Sequence, residues 1–166
     1  MKLESRFLFL FLFLASALLL GYAVILQTTQ HLLPCPLCVA QRMAYWLVGL
    51  TALVAFVHHP ASPVRRWYAG LIAVFSLAGA SVALHHVWVI RHPTDAGCGI
   101  SPEEKFLNAL PFAHWWPAMF EANGDCAKVT WRFLSLSMPE WSLVCFLLFF
   151  ACAVYLLITG KNDRTA

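Results

Sequence analysis

The sequence predicts an all-α membrane protein, built as a bundle of four transmembrane helices. Of its 166 residues, 61% are hydrophobic and only 11% are charged, whereas a soluble domain carries about 25% charged residues. Four stretches are apolar over enough residues to cross roughly 30 Å of bilayer hydrocarbon as helices. The length fits one domain. We therefore expect residues 1–166 to form a single integral membrane domain.

The four predicted spans lie at about Phe7–Leu26, Val39–Val57, Trp67–Ile90 and Trp141–Ile158. The first begins like a signal peptide, with basic residues before an apolar run and a small-residue triplet at residues 15–17. The apolar region of a signal peptide ends near its cleavage site, but here it continues for several residues beyond the triplet. The pattern favours an uncleaved membrane anchor.

The orientation follows from the positions of lysine and arginine. Basic residues lie before the first span, in the short connection between the second and third spans, and after the fourth: Lys2, Arg6, Arg65, Arg66, Lys161 and Arg164. Short cytoplasmic segments carry such an excess. Both termini and the middle loop are therefore predicted to be cytoplasmic. The loops near Gln27–Cys38 and Arg91–Glu140 are predicted to face outward.

The cysteines follow this topology. Four of the six, Cys35, Cys38, Cys98 and Cys126, fall in the two outward-facing loops, where the compartment is oxidising. The other two, Cys145 and Cys152, fall inside the fourth predicted helix. Buried free cysteines usually behave as small hydrophobic side chains, so this second pair is expected to be inert.

The first-loop pair has the setting of a reactive thiol. Cys35 and Cys38 form a Cys-X-X-Cys motif, and Cys38 immediately precedes the second predicted helix. A helix start favours an anion and so favours the thiolate. Arg42 follows one turn deeper on the same helix face, at a depth where a charged side chain is usually functional. These features together favour redox chemistry.

Two structural alternatives remain open for the four loop cysteines. They could bind zinc, although four-cysteine zinc sites often consist of two close pairs and here only one pair is close. They could also form two static disulfides that cross-link the loops. Neither alternative requires a thiolate at a helix start or an arginine below it. We predict no bound metal.

Net thiol oxidation requires an electron acceptor, because thiol exchange only moves an existing disulfide. The sequence contains no Gly-rich dinucleotide motif and no strand pattern, so a lipid-soluble quinone is the expected acceptor. Arg42 and either His85 or His86 are candidate donors to its carbonyl groups. No partner histidine lies at matching depth on another helix, which disfavours haem. A net charge of +3 gives no indication of nucleic acid binding.

The long outward loop is predicted to contain a short interfacial helix. Ser101, Pro102 and Glu104 are typical of a helix start with a capping box, and Pro111 ends the run. A cluster of aromatic and apolar residues follows, which favours a position along the membrane surface or a docking patch for a partner. The segment 123–126 is predicted to be a turn that presents Cys126.

With these residues considered together, the sequence resembles the DsbB family of bacterial disulfide bond formation proteins. The resemblance covers almost the whole chain, with all four helices in order. It rests on Cys35 and Cys38, Gln41 and Arg42, the loop pair Cys98 and Cys126, His86-Val87-Trp88, the run Gly124-Asp125-Cys126-Ala127, Trp131, Phe133-Leu134, Met138-Pro139 and Trp141.

The resemblance implies a relay between two redox-active disulfides, Cys35–Cys38 and Cys98–Cys126. A reduced DsbA-like thiol oxidase of the periplasm would attack Cys98, and the released Cys126 would exchange with Cys35. Cys38 would then pass electrons to ubiquinone or menaquinone, with Arg42 and His86 beside the quinone. It also implies that the protein lies in the bacterial inner membrane with both cysteine-bearing loops in the periplasm.

Overall fold

A computed structural model of the chain describes residues 3–31, 33–58, 62–92, 102–127 and 131–162. The described residues form seven helices and two short strands. In chain order, these are α1 (Leu3–Thr29), α2 (Pro36–His58), α3 (Ser62–Arg91), α4 (Pro102–Asn108), α5 (Pro111–Trp115), α6 (Pro117–Phe120), β1 (Arg132–Phe133), β2 (Leu136–Ser137) and α7 (Met138–Asn162).

The prediction of an all-α bundle of four long helices is confirmed. Helices α1, α2, α3 and α7 are each long and apolar enough to cross a membrane, and each contains one predicted span. The helices extend beyond those spans, because backbone hydrogen bonding continues into the interfacial region, where polar side chains are tolerated. The orientation of the termini remains a prediction.

The start of α2 differs from the sequence prediction in a way that affects the cysteines. The helix begins at Pro36 rather than near Val39, because proline is favoured at a first helical position. The Val39 N–H donates the first intrahelical bond to the Cys35 carbonyl at 3.1 Å. Cys35 is therefore the residue immediately before the helix, and Cys38 lies within its first turn.

Helix α3 packs along both α2 and α7, and α1 packs along the other side of α2. The close approach of α3 and α7 depends on Gly79, because a Cβ atom there would overlap the Phe146 ring. Phe146 in turn stacks on Tyr45 of α2, with ring centroids 4.1 Å apart. In contrast, α1 and α7 make little direct contact. A gap is left between them at the end of the bundle that the sequence predicts to face outward.

The second loop contains more structure than the sequence predicted. In place of one short helix, the described part of the loop has α4, α5 and α6, and each begins with a proline. The side chains of the predicted capping box at Ser101 and Glu104 lie outside the described part of the chain. Trp115 has 81% of its surface exposed, and Phe106 and Trp116 are also exposed. This exposure is consistent with the predicted membrane-surface position.

A two-stranded hairpin precedes α7, although the sequence analysis found no strand pattern. Strand β1 pairs antiparallel with β2, with Arg132 opposite Ser137. The two turn residues, Leu134 and Ser135, have positive φ angles of 48° and 67°. This geometry is typical of a type I′ turn, which usually contains asparagine or glycine. The strands were missed because they are only two residues long and the turn lacks that signature.

Candidate functional site

Three cysteines come together where the second loop meets the start of α2. The Sγ atoms of Cys35 and Cys38 are 3.2 Å apart, and the Cys38 N–H donates to Cys35 Sγ at 3.4 Å. The Sγ atoms of Cys35 and Cys126 lie within 4.8 Å of each other. We call Cys35, Cys38 and Cys126 the sulfur cluster. It places a thiol of the second loop within reach of the Cys-X-X-Cys motif.

The backbone of the second loop holds Cys126 in this position. The N–H groups of Asn123 and Gly124 both donate to the Pro34 carbonyl, each at 3.0 Å. A Cβ atom at Gly124 would collide with the backbone carbonyl of Leu33 and lie 3.0 Å from the Cys35 nitrogen. Only glycine therefore allows this close approach. Sequence analysis found a turn at residues 123–126 but not its docking on the first loop.

Further contacts hold the second loop together and fasten it to the helical bundle. The side-chain amide of Asn108 in α4 donates to the Ala122 carbonyl and accepts from the Ala122 N–H, both at 2.9 Å. The Arg42 guanidinium donates through Nη1 to the carbonyls of Ala118 and Met119, at 3.2 and 3.3 Å. Arg42 is thus a structural tie between α2 and α6 as well as a buried cation near the sulfur cluster.

His86 is the histidine that reaches the cluster. It is 4% exposed, and its Nε2 lies 3.6 Å from Cys35 Sγ. The Gln41 amide donates to Nδ1 at 3.1 Å, so the ring proton lies on Nε2, which donates to the Cys126 carbonyl at 3.2 Å. His85 is exposed and stacks instead against Trp88. Of the two histidines that the sequence left as alternatives, His86 is therefore the one that contacts the sulfur cluster.

Among the described residues, two cysteines lie outside the spanning helices, Cys35 and Cys126, and their pKa values are shifted in opposite directions. The Cys35 thiol donates to Cys126 and Cys38 and is buried, and these effects raise the pKa of Cys35 well above its ordinary value. The hydrogen bond from Cys35 lowers the pKa of Cys126; the Leu37 N–H and His86 act in the same direction, although burial opposes them. Between these two thiols, the proton therefore stays on Cys35, and Cys126 ionises more readily.

A cavity of about 400 Å³ lies directly beside the sulfur cluster. Its polar end is formed by Cys38, Gln41, Arg42, Tyr45 and His86. The Tyr45 hydroxyl at this end donates to the Ser142 carbonyl at 3.3 Å and lies 3.1 Å from the Ser142 hydroxyl.

The remaining walls of the cavity are mostly apolar and come from α1, α7 and the hairpin, including Leu19, Leu20, Leu26, Trp131, Phe133 and Trp141. Because α1 and α7 both line the cavity and make little contact with each other, we expect the cavity to open between them toward the lipid. Its volume falls within the roughly 300–1,000 Å³ typical of small-molecule pockets.

The remaining predicted residues differ in their relation to the site. Cys98 lies outside the described residues, so its pairing with Cys126 stays a prediction. Cys145 lines the cavity. The sequence predicted only an inert buried thiol and did not place it at the site. Cys152 packs against the hydrophobic core. Sequence reasoning from the residues alone missed Tyr45 and Ser142, because neither belongs to a motif and the two meet only through the packing of α2 against α7.

The fold and the site together define a class: a multi-pass membrane protein with a buried cysteine cluster beside a mostly apolar cavity between its helices. Residues 5–156 match the family model described as "Disulfide bond formation protein DsbB". The chain is 57% identical over 159 residues to a protein of Nitrosospira multiformis named Disulfide bond formation protein B, covering 96% of this chain and 95% of the relative.

Two other relatives carry the same name. The protein of Nitrosomonas europaea is 61% identical over 144 residues, covering 87% of this chain and 88% of the relative. The protein of Aromatoleum aromaticum is 43% identical over 161 residues, covering 96% of each chain. The chain therefore belongs to the DsbB family of disulfide bond formation proteins.

Proposed function

We propose that this protein is a thiol:quinone oxidoreductase that reoxidises a DsbA-like dithiol oxidase at the periplasmic face of the bacterial inner membrane. The observation that carries the proposal is the position of the sulfur cluster, with a second-loop thiol on one side and a lipid-facing cavity on the other. A thiol partner in water and an acceptor in lipid could therefore react with the same cluster from opposite sides.

In the first proposed step, a thiolate of the reduced partner attacks Cys98 of a Cys98–Cys126 disulfide. A mixed disulfide forms on Cys98, and Cys126 leaves as a thiolate. The Leu37 N–H and His86 lower the pKa of Cys126 without requiring a Cys35 thiol, and they support this step because a thiol with a low pKa is the better leaving group. The second thiol of the partner then displaces Cys98 and completes the oxidation of the partner.

In the next proposed step, the Cys126 thiolate attacks Cys35 of the Cys35–Cys38 disulfide. A Cys35–Cys126 disulfide forms and Cys38 leaves as a thiolate. The proximity of the Cys35 and Cys126 sulfurs supports this exchange. Because Cys38 lines the cavity and Cys35 and Cys126 face the loop, the displaced charge emerges on the lipid side.

In the last proposed step, Cys98 attacks Cys126 and restores the loop disulfide, which frees Cys35. Cys35 and Cys38 then form their own disulfide and lose two electrons and two protons. A bound quinone supplies the sink for this step, since it takes up two electrons and two protons and leaves as a quinol. Each turnover therefore converts one partner dithiol and one quinone into a disulfide and a quinol.

The residues of the cavity fit a quinone, either ubiquinone or menaquinone. Its apolar walls suit the isoprenoid chain, and its polar end offers Arg42 and Tyr45 as hydrogen-bond donors, with His86 beside them. The Arg42 guanidinium would favour the Cys38 thiolate and hold one carbonyl oxygen. The His86 Nε2–H lies beside the sulfur cluster, where it would favour a thiolate on a neighbouring cysteine.

The proposal is tested by following quinone reduction anaerobically with purified protein and a reduced thioredoxin-fold dithiol protein. We expect one quinol for each dithiol oxidised. Cys38→Ser should abolish quinol formation, whereas Cys152→Ser, which removes a thiol from the core, should retain it. Equal quinol formation by wild type and Cys38→Ser would overturn the proposal. Absence of quinol formation by the wild type would instead favour a protein whose loops are cross-linked without catalytic exchange.

A further inference from the structure

The sulfur cluster and His86 also have the geometry of a tetrahedral metal site. The ligand atoms of Cys35, Cys126 and His86 all lie within 4.8 Å of one another, and Cys35 Sγ and His86 Nε2 are 3.6 Å apart. With zinc bonds of about 2.3 Å to sulfur and 2.0–2.1 Å to nitrogen, the corners of a tetrahedral site are separated by roughly 3.5–3.8 Å. The observed spacing therefore needs only small side-chain rotations to surround a cation.

The surroundings of these ligands favour a preformed site. Cys35 and His86 are each 4% exposed, and Cys126 is fixed by the docked loop. A ligating histidine usually donates its other ring N–H to an acceptor that orients it. The Gln41 amide already contacts Nδ1 at 3.1 Å, and after an amide flip its oxygen would accept the Nδ1 proton. His86 Nε2 would then be free to bind a metal.

We infer that the fully reduced protein binds one zinc ion through Cys35, Cys126 and His86, with Cys38 as the fourth ligand. The Sγ of Cys38 is 3.2 Å from that of Cys35, so a change of its side-chain rotamer can bring it to the fourth corner. Thiol protons are released on binding, and no electrons are transferred because zinc is not redox-active.

Such a site would exist in only one redox state. A disulfide at Cys35–Cys38 or Cys35–Cys126 removes the thiolates that ligate the ion. In the reduced state, zinc bound to Cys35 and Cys38 would prevent these two residues from re-forming their disulfide. This consequence rests on the proposed function, whereas the binding itself does not. Zinc would thus inhibit the enzyme when reduced thiols accumulate, as they do when the acceptor is scarce.

This site differs from the four-cysteine zinc site considered from the sequence. It uses His86 and does not require Cys98, so two substitutions separate the possibilities. Cys98→Ser should leave metal binding intact, because its thiol is not a ligand. His86→Ala should weaken it at least tenfold, because a direct ligand is lost.

The test uses full-length protein in detergent, reduced, freed of quinone and kept under anaerobic conditions. Zinc is titrated against a chromophoric chelator, and cadmium is titrated in parallel to detect sulfur-to-metal charge-transfer absorption. We expect one equivalent bound by the reduced protein and none by protein oxidised with diamide. Cys126→Ser should bind at least tenfold more weakly. The controls Cys152→Ser and His85→Ala should bind like wild type.

Two results would overturn the inference. The first is that reduced wild-type protein binds zinc no more tightly than Cys126→Ser does. The second is that Cys98→Ser loses as much zinc affinity as Cys126→Ser does. Since neither titration contains a dithiol partner or a quinone, failure here leaves the oxidase proposal intact. Equally, a protein without oxidase activity could still bind zinc, so the two proposals fail independently.

Discussion

Gly124→Ala is the substitution that most directly tests how the second loop is held. The added Cβ would collide with the Leu33 carbonyl oxygen and approach the carbonyl carbon of the same residue to 2.9 Å. These neighbours are backbone atoms and cannot rotate away. The segment must therefore move off the first loop, and its movement would carry Cys126 away from Cys35.

The size of the effect follows from the hydrogen bonds that break and the steric overlap that the methyl group creates. Two backbone hydrogen bonds to Pro34 would break, at about 0.5–1.5 kcal/mol each, and forced overpacking costs about 1–3 kcal/mol. Docking would therefore weaken by about 2–6 kcal/mol. Since 1.4 kcal/mol is tenfold, even the lower figure reduces the docking equilibrium constant about 30-fold. A shift of about 1 Å between reacting atoms can itself slow a reaction about a hundredfold.

The assay is anaerobic quinone reduction driven by a reduced dithiol partner. We expect Gly124→Ala to reduce the rate at least tenfold at saturating partner, because exchange between Cys126 and Cys35 would become limiting. The matched control is Gly70→Ala in α3, where an added Cβ meets nothing within 4 Å. If the two variants turn over at the same rate, the docked arrangement of the loop is not required for exchange.

Three further predictions concern the charges and donors of the site. The lowered pKa of Cys126 predicts that its alkylation in the reduced protein stays fast as the pH falls below about 8.5, the ordinary thiol value. Cys35→Ala should move that alkylation profile to higher pH, and an unmoved profile would exclude the hydrogen bond from Cys35 as its cause. Arg42→His should raise the KM for quinone at least tenfold and should also lower the melting temperature, because it removes the two hydrogen bonds to α6; an unchanged KM with a lowered melting temperature would leave Arg42 with only its structural contacts. Tyr45→Phe should raise the quinone KM severalfold without slowing partner oxidation at saturating quinone, because it removes a hydroxyl from the cavity wall. Tyr68→Phe, which loses a hydrogen bond to His58 far from the cavity, is its control, and equal quinone KM values for the two variants would count against the role of Tyr45.

The four-helix architecture was predictable because it depends on composition and length alone. A membrane leaves few structures for a long apolar segment other than a helix. The cysteine loops followed from the same spans, since the spans define which segments lie between helices. The exact start of α2 was predicted three residues late, because the prediction followed the apolar run and gave no weight to Pro36 as a first helical residue.

The assembly of the site was less predictable, because it depends on contacts between residues far apart in sequence. The approach of Gly124 to Leu33 and the hydrogen bonds from Arg42 to α6 arise only when the loop folds back. One local signal was available but unused: Ser137 and Glu140 form a capping interaction at the start of α7, with the Ser137 N–H donating to the carboxylate at 2.7 Å. That signal would have placed the helix start at Met138.

The exchange between loop and helix sulfurs is tested most directly by mapping disulfides in purified Cys98→Ser. This variant leaves Cys126 without its proposed disulfide partner. After thiols are blocked at low pH and the protein is digested without reduction, mass spectrometry should find a Cys35–Cys126 linkage, with Cys38 carrying the blocking group. Recovery of only a Cys35–Cys38 linkage, with Cys126 blocked, would contradict the account, because electrons could not then pass from the second loop to the cavity by this route.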